Sequence, residues 1–269
     1  MTKSFYSGLK YKPKKVKKQN KGTVFVSIFV VVCLAVSISF ADLFSRFITV
    51  GNFTLETSQT TSSAFKTYAI ASHKSAKKEE AEAFSLDIKN KGGAGYVWTD
   101  STIYYVLASC YLEENDAKKV KENLFDGGIE SDIITLEFKD LKIADAKTSD
   151  ENKTLLAATS SFKNTYKSLY DLSVSYDTKI VSDAETMLKL TMIKNDLEKL
   201  KTSFDVCFKT KWTNDLIILK LKLAENITTL ESLIENKNQT KTFSSDIKST
   251  YFKILKNHKS LYNELTKSI

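Results

Sequence analysis

The spacing of apolar residues divides this chain into three parts. Residues 23–40 form one apolar run without a charged residue. Between 65 and 139, short apolar segments alternate with charged segments, a pattern that indicates β-strands joined by short helices. From 148 to the end, apolar residues recur every three or four positions and neither glycine nor proline occurs, which is typical of long packed helices.

The middle part contains one pattern twice. Residues 66–93 and 103–128 each begin with an apolar run, continue into a charged helix and end at Gly-Gly. The apolar helix positions recur 36 residues later, pairing Ala81 with Ala117, Phe84 with Val120, and Ile88 with Leu124. Each copy is followed by another extended segment, so we predict an α+β fold containing a βαββαβ, ferredoxin-like module with a four-stranded antiparallel sheet.

The duplication also predicts the elements of this module. Strands are expected at 66–72, 94–99, 102–111 and 132–138, and helices at 75–90 and 114–125. We expect the first helix to open at Ser75. Both Gly-Gly pairs are expected to terminate their helices, because glycine accepts the left-handed conformation of a helix C-cap.

The last part, residues 148–269, predicts an antiparallel bundle of three or four helices. A first helix is expected near 151–172. Apolar seams of three further helices run over 190–207, 216–233 and 243–265, with breaks near 211–214 and 236–239. His258 falls on the last seam, so we expect a packed histidine rather than a ligand.

The N-terminal part indicates membrane attachment. Residues 1–22 hold eight lysines and no acidic residue. The apolar run that follows would form a helix about 27 Å long, close to the hydrocarbon thickness of a bilayer. A cleaved signal peptide would have a shorter apolar core. We therefore predict a cytoplasmic basic leader at 1–22, a single transmembrane helix at 23–43, and residues 44–269 outside the cytoplasm at the cell membrane, with 44–64 as a linker.

Charge and composition argue against several classes of protein. The net charge of +8 comes from the leader, since the other 32 basic residues balance 32 acidic ones. Nucleic-acid binding by the sheet is therefore not expected. The two histidines, His73 and His258, belong to no closely spaced set that would suit zinc. We predict no cofactor, no metal and no enzymatic activity. The sequence does not decide whether Cys110 and Cys207 form a disulfide.

Alternation along the third strand suggests a ligand surface. The small and branched residues Val106, Ala108 and Cys110 share one face, which suits contact with the helices. The opposite face would be open, and we expect it to carry Tyr105, Leu107, Ser109 and Tyr111, joined by Tyr68, Ile70 and Ser72 from the first strand. Exposed aromatic residues of this kind commonly mark a binding surface. The alternative is that the bundle or the linker covers this face.

The same residues carry a family resemblance. The segment 104–124, YYVLASCYLEENDAKKVKENL, resembles the second half of a SPOR (sporulation-related repeat) domain, and 68–93 resembles the first half. The resemblance is limited to about residues 65–139. It implies a non-catalytic module that binds peptidoglycan glycan strands on the open face of its sheet, at division or sporulation septa. The glycan-binding set that follows is Tyr68, Ile70, Ser72, His73, Tyr104, Tyr105, Leu107, Ser109 and Tyr111.

A second hypothesis assigns the function to the helical bundle. The chain would then be a membrane-anchored scaffold that binds a protein partner, and the βαββαβ module would only be structural. Both hypotheses place the chain at the membrane and neither requires catalysis.

Overall fold

The computed structural model describes residues 64–100, 102–143, 148–237 and 242–267. The predicted leader and transmembrane helix, and nearly all of the linker, lie outside the described residues. Within the described ranges, no helix is long and apolar enough to span a bilayer.

The module has the predicted order of elements. Its strands are β1 (Phe65–Ser75), β2 (Tyr96–Asp100), β3 (Ile103–Tyr111) and β4 (Asp132–Phe138), and its helices are α1 (Lys78–Asn90) and α2 (Glu114–Asp126). The strands form one antiparallel sheet in the order β2-β3-β1-β4. The prediction of a four-stranded antiparallel βαββαβ module is confirmed.

The duplication is visible in the two helices and their ends. Both helices have 13 residues. Gly92 and Gly128 have positive φ values, +88° and +75°. In each copy this glycine donates its N–H to the carbonyl three residues back, and the next residue donates to the carbonyl five residues back. This is the Schellman arrangement, so both Gly-Gly pairs terminate their helices as predicted.

Two details of the first copy differ from the prediction. The first helix begins at Lys78, because β1 continues through Ser75, whose hydroxyl accepts a hydrogen bond from the backbone N–H of Lys77. Phe84, expected in the core, is 41% exposed, whereas its counterpart Val120 is buried. The Phe84 ring instead stacks on His73 at the edge of the module.

Four helices form the bundle: α3 (Ser149–Asp177), α4 (Asp183–Cys207), α5 (Asn214–Asn236) and α6 (Phe243–Lys267). Helix α3 packs beside α4 and α6, and α5 packs beside the same two helices. Capping boxes at Thr148 with Glu151, and at Ser182 with Glu185, fix the starts of α3 and α4. The predicted helices after the sheet are confirmed, and the described residues contain four of them.

The predicted seams are the buried faces of these helices. Asn226, the polar residue in the α5 seam, accepts a hydrogen bond of 2.8 Å from the side-chain amide of Asn257 on α6. His258 is 2% exposed and meets the rings of Phe65, Phe138 and Phe162 edge to face. The prediction that His258 is a packed residue is confirmed.

The sheet and the bundle share one hydrophobic core. One face of the sheet packs on α1 and α2 through Ile70, Val106 and Ala108. The other face packs on α3 and α6, where Leu107 and Cys110 join Tyr166, Tyr251 and Phe252 in a single buried cluster.

Candidate functional site

The sheet face that was expected to be open is covered by the bundle. Leu107, near its centre, is fully buried. The ring of Tyr96 on β2 stacks on that of Phe252 on α6, with centroids 5.4 Å apart. The Tyr251 hydroxyl accepts a hydrogen bond of 3.2 Å from the backbone N–H of Cys110. The alternative in which the bundle covers this face is therefore the one observed.

Polar contacts fix the bundle against the end of α1. The Lys248 ammonium group on α6 donates to the Gly92 carbonyl at 2.8 Å and lies 2.5 Å from the Asp177 carboxylate on α3. The Ser245 hydroxyl donates to the Lys89 carbonyl at 2.9 Å. Side chains of α6 therefore bind carbonyl groups at and just beyond the end of α1.

The predicted glycan-binding residues divide between the two faces of the sheet. On the bundle side, Leu107 belongs to the buried cluster and Tyr105 packs against it. Tyr68, Ile70, Tyr104 and Tyr111 pack on the α1 and α2 side. Three of the nine are buried, Ile70, Leu107 and Tyr111. The other six are half-buried: Tyr68, Ser72, His73, Tyr104, Tyr105 and Ser109.

A register shift on β3 explains why the predicted faces of Cys110 and Tyr111 were wrong. Between Ile70 and Ala71 on β1, the β3 partner changes from Ser109 to Leu107, which leaves Ala108 as an extra residue. Such a bulge breaks strict alternation, so Cys110 turns to the bundle and Tyr111 to the helices. On β1, Ile70 faces α1 and α2, while Ala69 and Ala71 face the bundle.

A cleft opens beside a second register shift, where β1 passes Ser72 and His73. It has a volume of about 780 Å³ and lies between the end of β1, the outer side of α2 and the start of β4. Small-ligand pockets in proteins span roughly 300–1,000 Å³. Its lining includes Ser72, His73, Lys121, Phe125, Glu130 and Ser131. Only Ser72 and His73 of these were predicted as site residues.

The His73 ring is held in place on two sides. It stacks on the Phe84 ring with centroids 3.7 Å apart and planes 7° from parallel. Its Nε2 atom lies 3.7 Å from a carboxylate oxygen of Glu80, whose other oxygen accepts a 2.7 Å hydrogen bond from Ser75. The imidazole is therefore positioned without a direct hydrogen bond to this carboxylate.

The two copies of the repeat differ in the residues that follow the helix. In the first copy the chain continues as Gly93-Ala94-Gly95, and a Cβ atom at Gly93 would lie 2.6 Å from Ile88. The backbone therefore packs closely against α1, and the Ser85 hydroxyl donates to the Gly95 carbonyl. The second copy has Ile129-Glu130-Ser131 at these positions, and Glu130 and Ser131 line the cleft.

The sequence contained a signal for the missed side of the cleft. Phe125 lies outside the buried stripe of α2 formed by Ala117, Val120 and Leu124, and it is 70% exposed. A large apolar residue outside a complete helix stripe is a candidate for contact with a ligand or a second protein. Ser131 carried no comparable signal.

Reactive groups are few in the described part of the chain. No group of three or more His, Cys, Asp or Glu side chains there could hold a metal ion. Cys110 and Cys207 are free thiols and lie in separate clusters. Burial raises the pKa of the Cys110 thiol to about 11, so it stays protonated at neutral pH.

Comparisons of this chain with models of protein families, with curated proteins and with solved structures gave no match.

Proposed function

We propose that this chain is a non-catalytic protein of the cell envelope that binds peptidoglycan glycan strands through its βαββαβ module. Residues 23–43 would hold it in the membrane, and a role at division or sporulation septa follows from the SPOR resemblance. One observation carries the proposal: Ser72 and His73, both in the predicted glycan-binding set, line a cleft of about 780 Å³ on the described surface.

The ligand in this proposal does not contact the face of the sheet that SPOR domains use. That face is sealed by α3 and α6. The bundle then has the role of fixing the module, and the glycan approaches from the side of α1 and α2. Sugar rings combine apolar faces with hydroxyl groups, which suits a cleft that offers both aromatic and polar side chains.

Sedimentation with purified peptidoglycan tests the proposal. The full chain in detergent should pellet with peptidoglycan, and removal of stem peptides by an amidase shows whether bare glycan is preferred. His73→Ala should lower the bound fraction, whereas Ile180→Ala, at an exposed position between α3 and α4, should not. Absence of pelleting by the unchanged protein, with treated and untreated peptidoglycan alike, would refute the proposal.

A protein-binding scaffold is the second candidate function. The observation in its favour is a set of exposed apolar side chains on the two bundle helices farthest from the sheet: Leu188, Met192 and Val206 on α4, and Ile217 and Leu221 on α5. A photoreactive residue at position 221 should cross-link a partner protein in cells, and the same residue at Glu79 on α1 should not. Equal labelling from both positions would count against the scaffold.

A further inference from the structure

Three residues that line the cleft each have a buried polar side-chain atom without a hydrogen-bond partner among the described residues. These are the Ser72 hydroxyl oxygen, the His73 Nε2 atom and the Ser131 hydroxyl oxygen. Buried polar groups in proteins are almost always satisfied, because an unpaired one costs about 1–3 kcal/mol. Three such atoms, all in residues that line one cleft, favour a polar ligand there over an apolar one.

The His73 imidazole has a fixed position at the cleft. Its Nε2 atom and the Glu80 carboxylate oxygen are 3.7 Å apart, too far for a direct hydrogen bond. Phe84 stacks on the ring and Ser75 hydrogen-bonds to the carboxylate, so the unpaired nitrogen belongs to a rigid, polar part of the structure.

Backbone groups add to the polar wall of the cleft. The ladder between β1 and β4 ends at Ala71 and Asp132, and residues 72–75 of β1 continue beyond it. Along this edge β4 supplies no partner, so the backbone presents donors and acceptors in alternation.

The charges around the cleft do not favour an ionic ligand. Its lining has three lysines, Lys74, Lys118 and Lys121, and four carboxylates, Glu122, Asp126, Glu130 and Asp132. Lys74 is paired with Asp132 at 3.4 Å, and Lys118 with Glu114 at 2.7 Å. Phosphate sites concentrate positive charge, whereas here the two signs are interleaved and nearly balanced.

Phe125 supplies an apolar surface at the rim. Its side chain is 70% exposed, although it belongs to a helix whose buried stripe is complete without it. An aromatic ring beside alternating donors and acceptors matches the two surfaces of a pyranose, an apolar face and a rim of hydroxyls.

We propose that the cleft between the end of β1, α2 and the start of β4 binds a neutral carbohydrate chain. One sugar ring stacks on Phe125, and His73 hydrogen-bonds to a ligand hydroxyl. The hydroxyls of Ser72 and Ser131 complete further hydrogen bonds. The inference rests on the proposed function for the biological source of the sugar, but the site and the ligand chemistry are argued from the cleft alone.

Calorimetric titration of the full chain in detergent tests this site with a soluble β-1,4-linked N-acetylglucosamine tetramer. Phe125→Ala should weaken binding by about tenfold, equivalent to about 1.4 kcal/mol. Leu221→Ala removes a similarly exposed apolar side chain on α5 and should leave the affinity unchanged. Because Phe125 is mostly exposed, its replacement should not unfold the protein, which circular dichroism checks. Inorganic phosphate in the same titration should give no heat of binding.

The outcomes separate the site from the proposed function. If the protein pellets with peptidoglycan but does not bind the tetramer, the cleft inference fails and the proposed function stands. If Phe125→Ala weakens binding of the tetramer but the protein does not pellet with peptidoglycan, the cleft inference stands and the proposed function fails. Equal tetramer affinity in Phe125→Ala and the unchanged protein, or binding of phosphate alone, would overturn the inference.

Discussion

The backbone N–H of Cys110 in β3 donates a hydrogen bond to the hydroxyl oxygen of Tyr251 on α6, at 3.2 Å. Cys110 follows the bulge at which β3 loses its regular register with β1. A bulge disrupts the hydrogen-bond ladder locally, and here a side chain of the bundle supplies an acceptor. The central strand of the sheet is therefore completed by a helix from the other half of the molecule.

Tyr251→Phe tests the strength of this link. The substitution keeps the ring but leaves the Cys110 N–H buried without its partner, so the free energy of unfolding should fall by about 1–3 kcal/mol. Urea unfolding followed by circular dichroism measures the change. Tyr262→Phe on the same helix is the matched control, because no hydrogen bond of its hydroxyl is found among the described residues, and it should change stability by less than about 0.5 kcal/mol.

The shared core predicts that sheet and bundle unfold together. The chain has two tryptophans, Trp98 on β2 and Trp212 at the turn between α4 and α5. In a Trp212→Phe variant, fluorescence reports on the sheet through Trp98, while circular dichroism reports mainly on the bundle helices. We expect coincident urea midpoints for the two signals. Separate transitions would show that the module and the bundle are independently stable.

Sequence periodicity predicted the elements well because each depends on local spacing. The α5 seam from Leu216 to Leu233 is buried at every predicted position, since one helix face determines it. The faces of β1 and β3 were predicted less well. A bulge of one residue at Ala108 reverses the side on which Cys110 and Tyr111 lie, and their residue types do not reveal it.

The docking of the bundle on the sheet depends on contacts between distant residues, which periodicity cannot assign. The spacing placed Tyr251 on a helix seam but could not show that this seam meets a strand. The sequence did offer one signal. Phe252 and Leu255 are apolar and lie outside the predicted seam of α6, and both are buried, so more than one face of this helix is covered. The cleft itself was not predicted, although Ser72 and His73 belonged to the predicted binding set, because its other wall depends on how α2 sits beside β4.

The buried His258 predicts a loss of stability in mild acid. Burial lowers the pKa of its imidazole from 6.5 to about 4. Between these two values the unfolded chain binds the proton and the folded chain does not, so stability present above pH 6.5 falls as pH falls towards 4, by up to about 3 kcal/mol. His258→Phe should remove this component of the pH dependence, measured as the difference in unfolding free energy between variant and unchanged protein.

A second titrating group acts in the opposite direction over nearly the same range. Burial raises the pKa of the Asp171 carboxyl to about 6, so the folded chain binds this proton first and gains stability as pH falls through that value. Asp171→Asn should therefore steepen the fall of the unfolding free energy between pH 6.5 and 4.

The His258 prediction has a clear contrary outcome. If His258→Phe and the unchanged protein show the same slope of unfolding free energy between pH 6.5 and 4, the histidine is not buried as a neutral ring.

The glycines after the two helices of the module allow a test of the close packing in the first copy of the repeat. Gly95 has a φ of +55°, and a Cβ atom there would overlap the Ser85 carbonyl and lie 2.6 Å from the Lys89 side chain. Gly128 also has a positive φ, but its Cβ position is open. Gly128→Ala should cost about 1–2 kcal/mol, from the backbone alone. Gly95→Ala should cost clearly more, because α1 must also move. Equal losses in urea unfolding would contradict the close packing that distinguishes the two copies.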